Sequence, residues 1–496
     1  MNKKAKDFGY YFEKFRAFLL VFLIVLCVIQ VGILWSSQSG SFPFLSSFFS
    51  DSRGFSQDSI EKVKSNYMLP YKLVVSKGYD FDHIIVPNGS NQYADLWDGA
   101  KKYLSAILGI KPTKVEPLSD DKWGLIVAGS PNSYYFEFKT EINTEIVKWV
   151  LDSKESADTL TGFDKLVICP EDPNNNYADV VYIRDTSNIY TYVLTDFKGG
   201  ELNQEVFDSM YKSLMENPNK ANYKIAIETG SKTTLPKDLI APLSSNSTEV
   251  YAGLINTPLM GAQGHTSSVG DYDPIQMELF GEVRKDYYPD EDVYGSVVFK
   301  KSDIVYRLYN NSVIEYKYTG NQGTSEKGKL LEAYQNAVGF IMDIKARNGY
   351  MDNINVYLSS IIYNKNSYTF NFDYNVIQDK GHGEVPLLLK EFKMPNTLRN
   401  LENALSVEAN SKKVLQSKWL ALKLKFEKNS KEYKWNFPEY VDRAYNNIGG
   451  LKASNLPIEG YGIYYVITPQ KANGRAIYPS FVLFNNSGSY DIPLGK

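Results

Sequence analysis

Histidine and cysteine are nearly missing from this chain: 496 residues hold three of the first and two of the second. That scarcity excludes much chemistry. His83, His265 and His382 fall in three different regions, and no H-x-x-x-H or C-x-x-C pattern occurs, so a zinc site is not expected. His382 stands between Gly381 and Gly383, ahead of Glu384, and reads as a glycine-rich turn closing a strand. Cys27 lies in an apolar run and Cys169 far downstream of it, so the body of the chain is expected to fold without a disulfide. No nucleophile elbow is evident, nor any S-x-x-K arrangement with supporting partners. Gly230-Ser231-Lys232-Thr233 lacks the glycine that precedes a phosphate-loop lysine and reads as a turn. The acidic residues Glu282, Asp286, Asp290, Glu291 and Asp292, with Asp271 and Asp273 nearby, miss the EF-hand spacing and read as a solvated loop. No catalytic, metal or cofactor-binding residue is assigned, and no cofactor is expected. Carboxylate pairs formed only by folding leave no trace in sequence, so an anchored surface hydrolase or cell-wall-modifying enzyme stays as the alternative.

Charge is lacking in one stretch above all. Residues 17–35, from Ala17 to Trp35, carry none. As a helix, about 19 residues at about 1.5 Å each span roughly the hydrocarbon core of a bilayer. Lys3, Lys4, Lys6, Lys14 and Arg16 precede the run, against Asp7 and Glu13, and the next cation after it is Arg53. The positive-inside rule then places residues 1–16 in the cytoplasm and residues 36–496 outside. The run is longer than the apolar region of a cleavable signal, and Leu34-Trp35-Ser36-Ser37-Gln38 makes a poor cleavage sequence. Leu23, Cys27, Gln30 and Leu34, spaced four, three and four apart, share one helix face and form the candidate partner-binding site within the membrane. The net charge is −3 overall, and the basic head leaves the exported part near −6, which argues against nucleic acid as a partner.

What the chain has in plenty is aromatic residues, 38 Tyr and 26 Phe, a bias toward half-buried strands. The fold class expected is α+β: one transmembrane helix, then several exported domains. Residues 36–60 read as a stalk, 61–245 as a first α+β domain, 246–390 as a middle one and 391–496 as a C-terminal one. In the first, helices are expected over Tyr93–Leu108 with Gly109 as C′ residue, over Asn143–Leu151 and over Gln204–Met215. Strands are expected at Tyr71–Val75, His83–Val86, Trp123–Ala128, Tyr134–Phe138 (half-buried), Lys165–Cys169, Val180–Arg184, Tyr190–Thr195 and Tyr223–Glu228. Ser244 to about Gly264 reads as a loop. Beyond it, the order hairpin, helix, hairpin recurs. The first copy has hairpins Ile304–Tyr309/Ser312–Tyr318 and Ile354–Tyr363/Tyr368–Val376 around a helix over about 325–346, with Asn310-Asn311 supplying positive φ. The second has Trp419–Phe426/Glu432–Phe437, turning at Lys428-Asn429-Ser430, then a helix over about 438–448, then Tyr461–Thr468/Ala476–Phe484. The last two domains are therefore expected to be antiparallel sheets of similar topology, each covered by its helix.

This layout resembles the YycH-like family of regulators of the WalK sensor kinase in the WalK/WalR two-component system of Gram-positive bacteria. The resemblance rests on the short basic head, the anchor ending in Ile33-Leu34-Trp35, the large exported part, the near-duplicated hairpin–helix–hairpin order and the final strand Ile477-Tyr478-Pro479-Ser480-Phe481-Val482-Leu483. It implies a single-pass protein of the cell membrane without enzymatic activity, partnered by a WalK-like sensor histidine kinase and a YycI-like single-pass membrane protein. An exported folding or assembly factor is a third expectation, one that calls for a broad apolar groove on the body.

Overall fold

The computed structural model describes residues 67–494 apart from internal stretches, the longest being 257–272, 281–289, 391–400 and 440–457. Residues 17–35, with the candidate membrane face Leu23, Cys27, Gln30 and Leu34, lie outside the described residues, as do the stalk, His265 and His382. Among the described residues no helix is long and apolar enough to cross a membrane. They fall in one compact unit running from Asp58 to Lys496, a mixed α+β body dominated by sheet.

The first half holds β1 (Lys72–Ser76), β2 (Ile84–Ile85), α1 (Asn91–Leu108), β3 (Lys114–Pro117), α2 (Asp120–Gly129), β4 (Ser133–Asn143), α3 (Thr144–Val150), β5 (Gly162–Asp172), β6 (Ala178–Arg184), β7 (Asn188–Leu194) and α4 (Gln204–Met215). Its strands form one antiparallel sheet in the order β2-β1-β4-β5-β6-β7-β3. Helix α1 forms because Tyr93, Leu96, Trp97, Ala100, Leu104 and Ile107 recur on one stripe, and Ser90 caps its first turn by accepting from the Tyr93 N–H at 3.1 Å. Gly109 is the cap residue itself, at φ −91°, so the helix ends without the left-handed glycine expected there.

Two differences from the sequence reading share a cause. Trp123–Ala128 is helix, not strand: Asp120 and Asp121 sit in the first turn of α2, where they suit its dipole, and Trp123, Gly124, Val127 and Ala128 are its buried residues. With α2 on that side of the sheet, Tyr135 is as buried as Tyr134 and Phe136, so β4 is covered on both faces over that stretch rather than half-buried.

The second half continues with β8 (Ala221–Ile225), β9 (Ile240–Ser245), β10 (Ser247–Asn256), α5 (Asp273–Phe280), β11 (Asp290–Glu291), β12 (Val297–Lys301), β13 (Ile304–Leu308), β14 (Val313–Tyr318), α6 (Leu330–Arg347), β15 (Ile354–Tyr363), β16 (Tyr368–Ile377), β17 (Glu384–Leu389), β18 (Leu405–Ala409), β19 (Val414–Leu420), β20 (Lys423–Lys434), β21 (Ile458–Ile467), β22 (Ala476–Ile477), β23 (Pro479–Asn485) and β24 (Gly488–Pro493). A twelve-stranded sheet runs β11-β12-β13-β14-β19-β18-β16-β17-β21-β23-β24, with β15 on β16. Helices α5 and α6 lie on one of its faces, where Phe280 meets Phe299 and Tyr306, Phe340 meets Tyr316 and Trp419, and Tyr334 meets Phe370. Residues two apart share a face, so Val298, Lys300, Val305, Arg307, Glu315 and Lys317 line the face turned away from both helices.

The first hairpin–helix–hairpin forms as β13–β14, α6 and β15–β16. Among its described turn residues the positive φ falls on Ser312, at +68°, while the Asn311 side chain accepts from the Val313 N–H at 3.2 Å; Asn310 lies outside the described residues. In the second, Lys428-Asn429-Ser430 makes no turn. Strand β20 runs straight through it, paired with β10, and those residues meet a register shift opposite Tyr251 and Gly253. The same pairing makes a strand of Ser247–Asn256, which reads as loop locally; its partner lies far along the chain. The helix expected over 438–448 lies outside the described residues. One contact in the sheet is parallel, β17 with β21, through Leu387↔Tyr465 to Leu389↔Ile467. Pairing of β10 with β20 and of β14 with β19 runs across residues 390/391, and one hydrophobic core extends from Tyr67 to Ile477.

Candidate functional site

Two side-chain constellations on the seven-stranded sheet bring ionisable groups together. Ser76 ends β1, and His83, seven residues on, bridges to Tyr223 through its backbone. The imidazole Nδ1 lies 2.8 Å from Ser76 Oγ and Nε2 lies 2.7 Å from Glu228 Oε2. An ionised carboxylate only accepts, so Nε2 carries the proton and, in the neutral ring, Nδ1 accepts from the serine hydroxyl. Ser76 Oγ in turn accepts from the Gly78 N–H at 3.0 Å. Burial opposes the charge on Glu228, but hydrogen bonds from His83 and from the Ile225 N–H, with Lys224 nearby, hold its pKa below the usual carboxylate range.

Serine, histidine and acid thus stand in the order of a nucleophile relay. Burial changes what it does. Ser76 is 2% exposed and His83 0%, while Tyr79 and Phe81 between them are exposed. In this conformation the relay ties β1, the His83 bridge and the turn after β8 together.

The second constellation is a ladder of charges set by strand register. Lys72, Glu137, Lys165 and Arg184 are successive cross-strand partners on β1, β4, β5 and β6. Lys72 Nζ reaches Glu137 Oε2 at 3.0 Å and Lys165 Nζ stands 3.8 Å from Oε1. Lys165 also bonds Asp238, and Arg184 grips Asp164 through Nη2 at 2.8 Å and Nε at 3.2 Å. The guanidinium lies 5.9 Å from the Trp123 ring centroid, a cation–π distance. Three cations meet three carboxylates, with Glu137 at the centre. Burial opposes its ionisation, yet Lys72 and Lys165 outweigh that and bring its pKa down to about 2.

The ladder lies where the seven-stranded sheet meets β21. Tyr71 and Tyr464 hydroxyls are 3.4 Å apart, and Tyr461 bonds the Ile240 carbonyl. Further ties join the same halves: Lys139 to Asp373 at 2.8 Å, Tyr334 Oη to the Tyr67 carbonyl at 3.2 Å, and Asn88 Nδ2 to Tyr357 Oη at 3.4 Å. Sequence reasoning assigned none of these residues, and neither constellation has a local signal. Glu228 lies 145 residues from His83, and the ladder exists only once four strands are in register. Cys169 is a free thiol buried in the sheet, and burial pushes its pKa up to about 12. Of the acidic run, Asp290 and Glu291 are placed, in β11, and Asp290 pairs with Lys300 at 2.6 Å.

No protein-family model matches the chain, and no curated protein matches it. Among solved structures it is similar to YycH from Bacillus subtilis, at 12% identity and a TM-score of 0.48, over 86% of this chain and 96% of that one. It is also similar to an uncharacterized protein from Eubacterium rectale, at 11% identity and a TM-score of 0.26, over 56% of this chain and 87% of that one.

Proposed function

We propose that the chain is a membrane-anchored, exported regulator of a cell-wall-linked sensor histidine kinase of the WalK type, working by contact rather than by catalysis. The observation that carries this reading is the charge-free segment 17–35 behind a basic head, with Gln30 on the face of Leu23, Cys27 and Leu34, joined to a large exported body. A glutamine in hydrocarbon favours a hydrogen-bonding partner on a neighbouring helix, a contact worth about 0.6 kcal/mol on average. A YycI-like single-pass protein and the kinase are the partners proposed for that face. The body supports the reading by where its ionisable groups are spent: the His83 relay and the Glu137 ladder join its own strands.

Replacing residues 17–35 with a plain leucine helix tests the proposal. Export and folding stay intact, and kinase output changes. Unchanged signalling with normal export overturns the membrane part of the reading. The Ser76–His83–Glu228 relay is the specific observation on the side of an anchored hydrolase, and its burial weighs against that second reading.

A further inference from the structure

One end of the body gathers the entry of the chain, the start of α6 and two strand turns. The Tyr67 carbonyl accepts from Tyr334 Oη at 3.2 Å, in the first turns of α6. From Tyr334 a row of rings leads outward: Phe370 at 5.4 Å between centroids, then Tyr368 at 6.3 Å and Tyr363 at 5.7 Å. Tyr368 Oη donates to the Gly328 carbonyl at 3.0 Å just ahead of α6, and Asn336 Nδ2 donates to the Asn410 carbonyl at 2.8 Å in the β18–β19 turn. The β15–β16 tip projects from this end. Val356 and Leu358 of β15 are buried, whereas Ile362 is 50% exposed and Tyr363 62%. Neighbours on a strand point to opposite faces, so the tip lacks cover on both. Lys365 in its turn, Lys412 in the adjoining β18–β19 turn and Lys329 ahead of α6 are exposed. Glu408 is engaged here, accepting from Ser367 Oγ at 2.5 Å.

We propose that this tip enters the headgroup layer of the bilayer that holds the anchor, with Ile362 and Tyr363 in the interface and Lys365 at its aqueous edge. The inference rests on the membrane-anchored reading and deepens it, since it sets which end of the body stands on the membrane. The point of attachment selects the occupant. Between Trp35 and Tyr67 lie 31 residues, which reach at most about 100 Å when fully extended. The end of the body that they join is therefore the end held nearest the bilayer, and a contact too weak to hold a free protein suffices for a tethered one. Size selects it too. Two side chains fall far short of the about 800 Å² that each partner of a stable protein interface buries. An aliphatic residue beside a tyrosine, with lysine flanking, is the chemistry of shallow insertion. Apolar area drives that insertion, so zwitterionic lipid suffices.

Quenching by lipid tests it, on the full chain in phosphatidylcholine vesicles that carry a nitroxide high on the acyl chain. An environment-sensitive dye is attached at Lys365→Cys in a Cys27→Ala background; the remaining Cys169 is buried. Tyr177→Cys is the control position, 72% exposed in the β5–β6 turn. That turn lies one strand length, about 35 Å, from the start of β5, which pairs with Asn143 ahead of α3, whose Trp149 meets Tyr334 at 6.3 Å. Quenching is expected to be about threefold stronger at 365 than at 177, and Ile362→Ser/Tyr363→Ser to remove most of the difference. Both side chains are exposed, so the variant keeps its fold, which its unfolding curve verifies. Equal quenching at the two positions, or quenching at 365 untouched by the double variant, overturns the inference. So does a dye at 365 that is shielded from aqueous iodide yet not reached by the nitroxide, which marks a protein, such as a second copy of this chain, on the tip. Carbonate extraction of the vesicles separates the two claims. A chain that resists extraction but is not quenched at 365 fails this inference alone, and a chain that is extracted overturns the anchor as well.

Discussion

Replacing Glu137 with leucine is expected to cost the body about 3–4 kcal/mol and to remove much of its sensitivity to acid. Lys72 and Lys165 flank that carboxylate in register, and all three side chains are mostly buried. Removing one partner of a buried pair leaves an uncompensated charge, and such changes cost about 3–5 kcal/mol. The pH dependence follows from its sign. Glu137 has its pKa lowered to about 2 in the folded protein, with burial opposing and the two lysines prevailing. A depressed carboxylate contributes stability above its unfolded pKa of about 4.3, and that contribution fades as pH falls toward 2. Urea unfolding at pH 7 and at pH 3, followed by tryptophan fluorescence, reads this directly, because Trp123 lies beside Arg184 of the same ladder. The wild-type chain loses stability between the two pH values, and the Glu137→Leu variant loses distinctly less. A Lys72→Met/Glu137→Leu double variant is expected to recover much of the loss, since an apolar pair of similar volume replaces the ion pair.

His83→Ala is the second large effect, about 3–4 kcal/mol. It opens a cavity at a site with 0% exposure and strips Glu228 and Ser76 of a partner each. Glu228→Gln keeps an oxygen near the ring and is expected to cost about 1–2 kcal/mol. The order of these two variants distinguishes a structural tie from a working relay. A relay would be marked by covalent labelling of Ser76 with a fluorophosphonate in the folded protein, lost in both variants. The burial of Ser76 predicts no labelling.

Local pattern sufficed wherever an element buried its own stripe. Helix α4 was legible to the residue, because Phe207, Tyr211 and Leu214 share a face and Asn203 caps it by accepting from the Val206 N–H. The β15–β16 hairpin was equally plain from its alternation and its turn at 364–367. Pattern failed where a distant partner decides. Ser247–Asn256 carries Val250, Tyr251, Leu254 and Ile255 but sits in a stretch rich in Ser, Asn, Pro and Gly, yet β20 pairs with it as a strand, and the supposed turn at 428–430 stays extended for the same reason. Trp123–Ala128 is apolar enough for either state; the acidic first turn of α2 was the overlooked signal. The His83 relay and the Glu137 ladder were illegible, since each is assembled by register and by residues far apart in sequence.

The measurement that bears most directly on the central claim is capture of the full-length protein from its own membranes after mild crosslinking, with identification of what accompanies it. The regulator account predicts a sensor histidine kinase and a second single-span protein, both lost when residues 17–35 are replaced by a leucine helix. Recovery of wall polymer or wall-building enzymes with no kinase would contradict it.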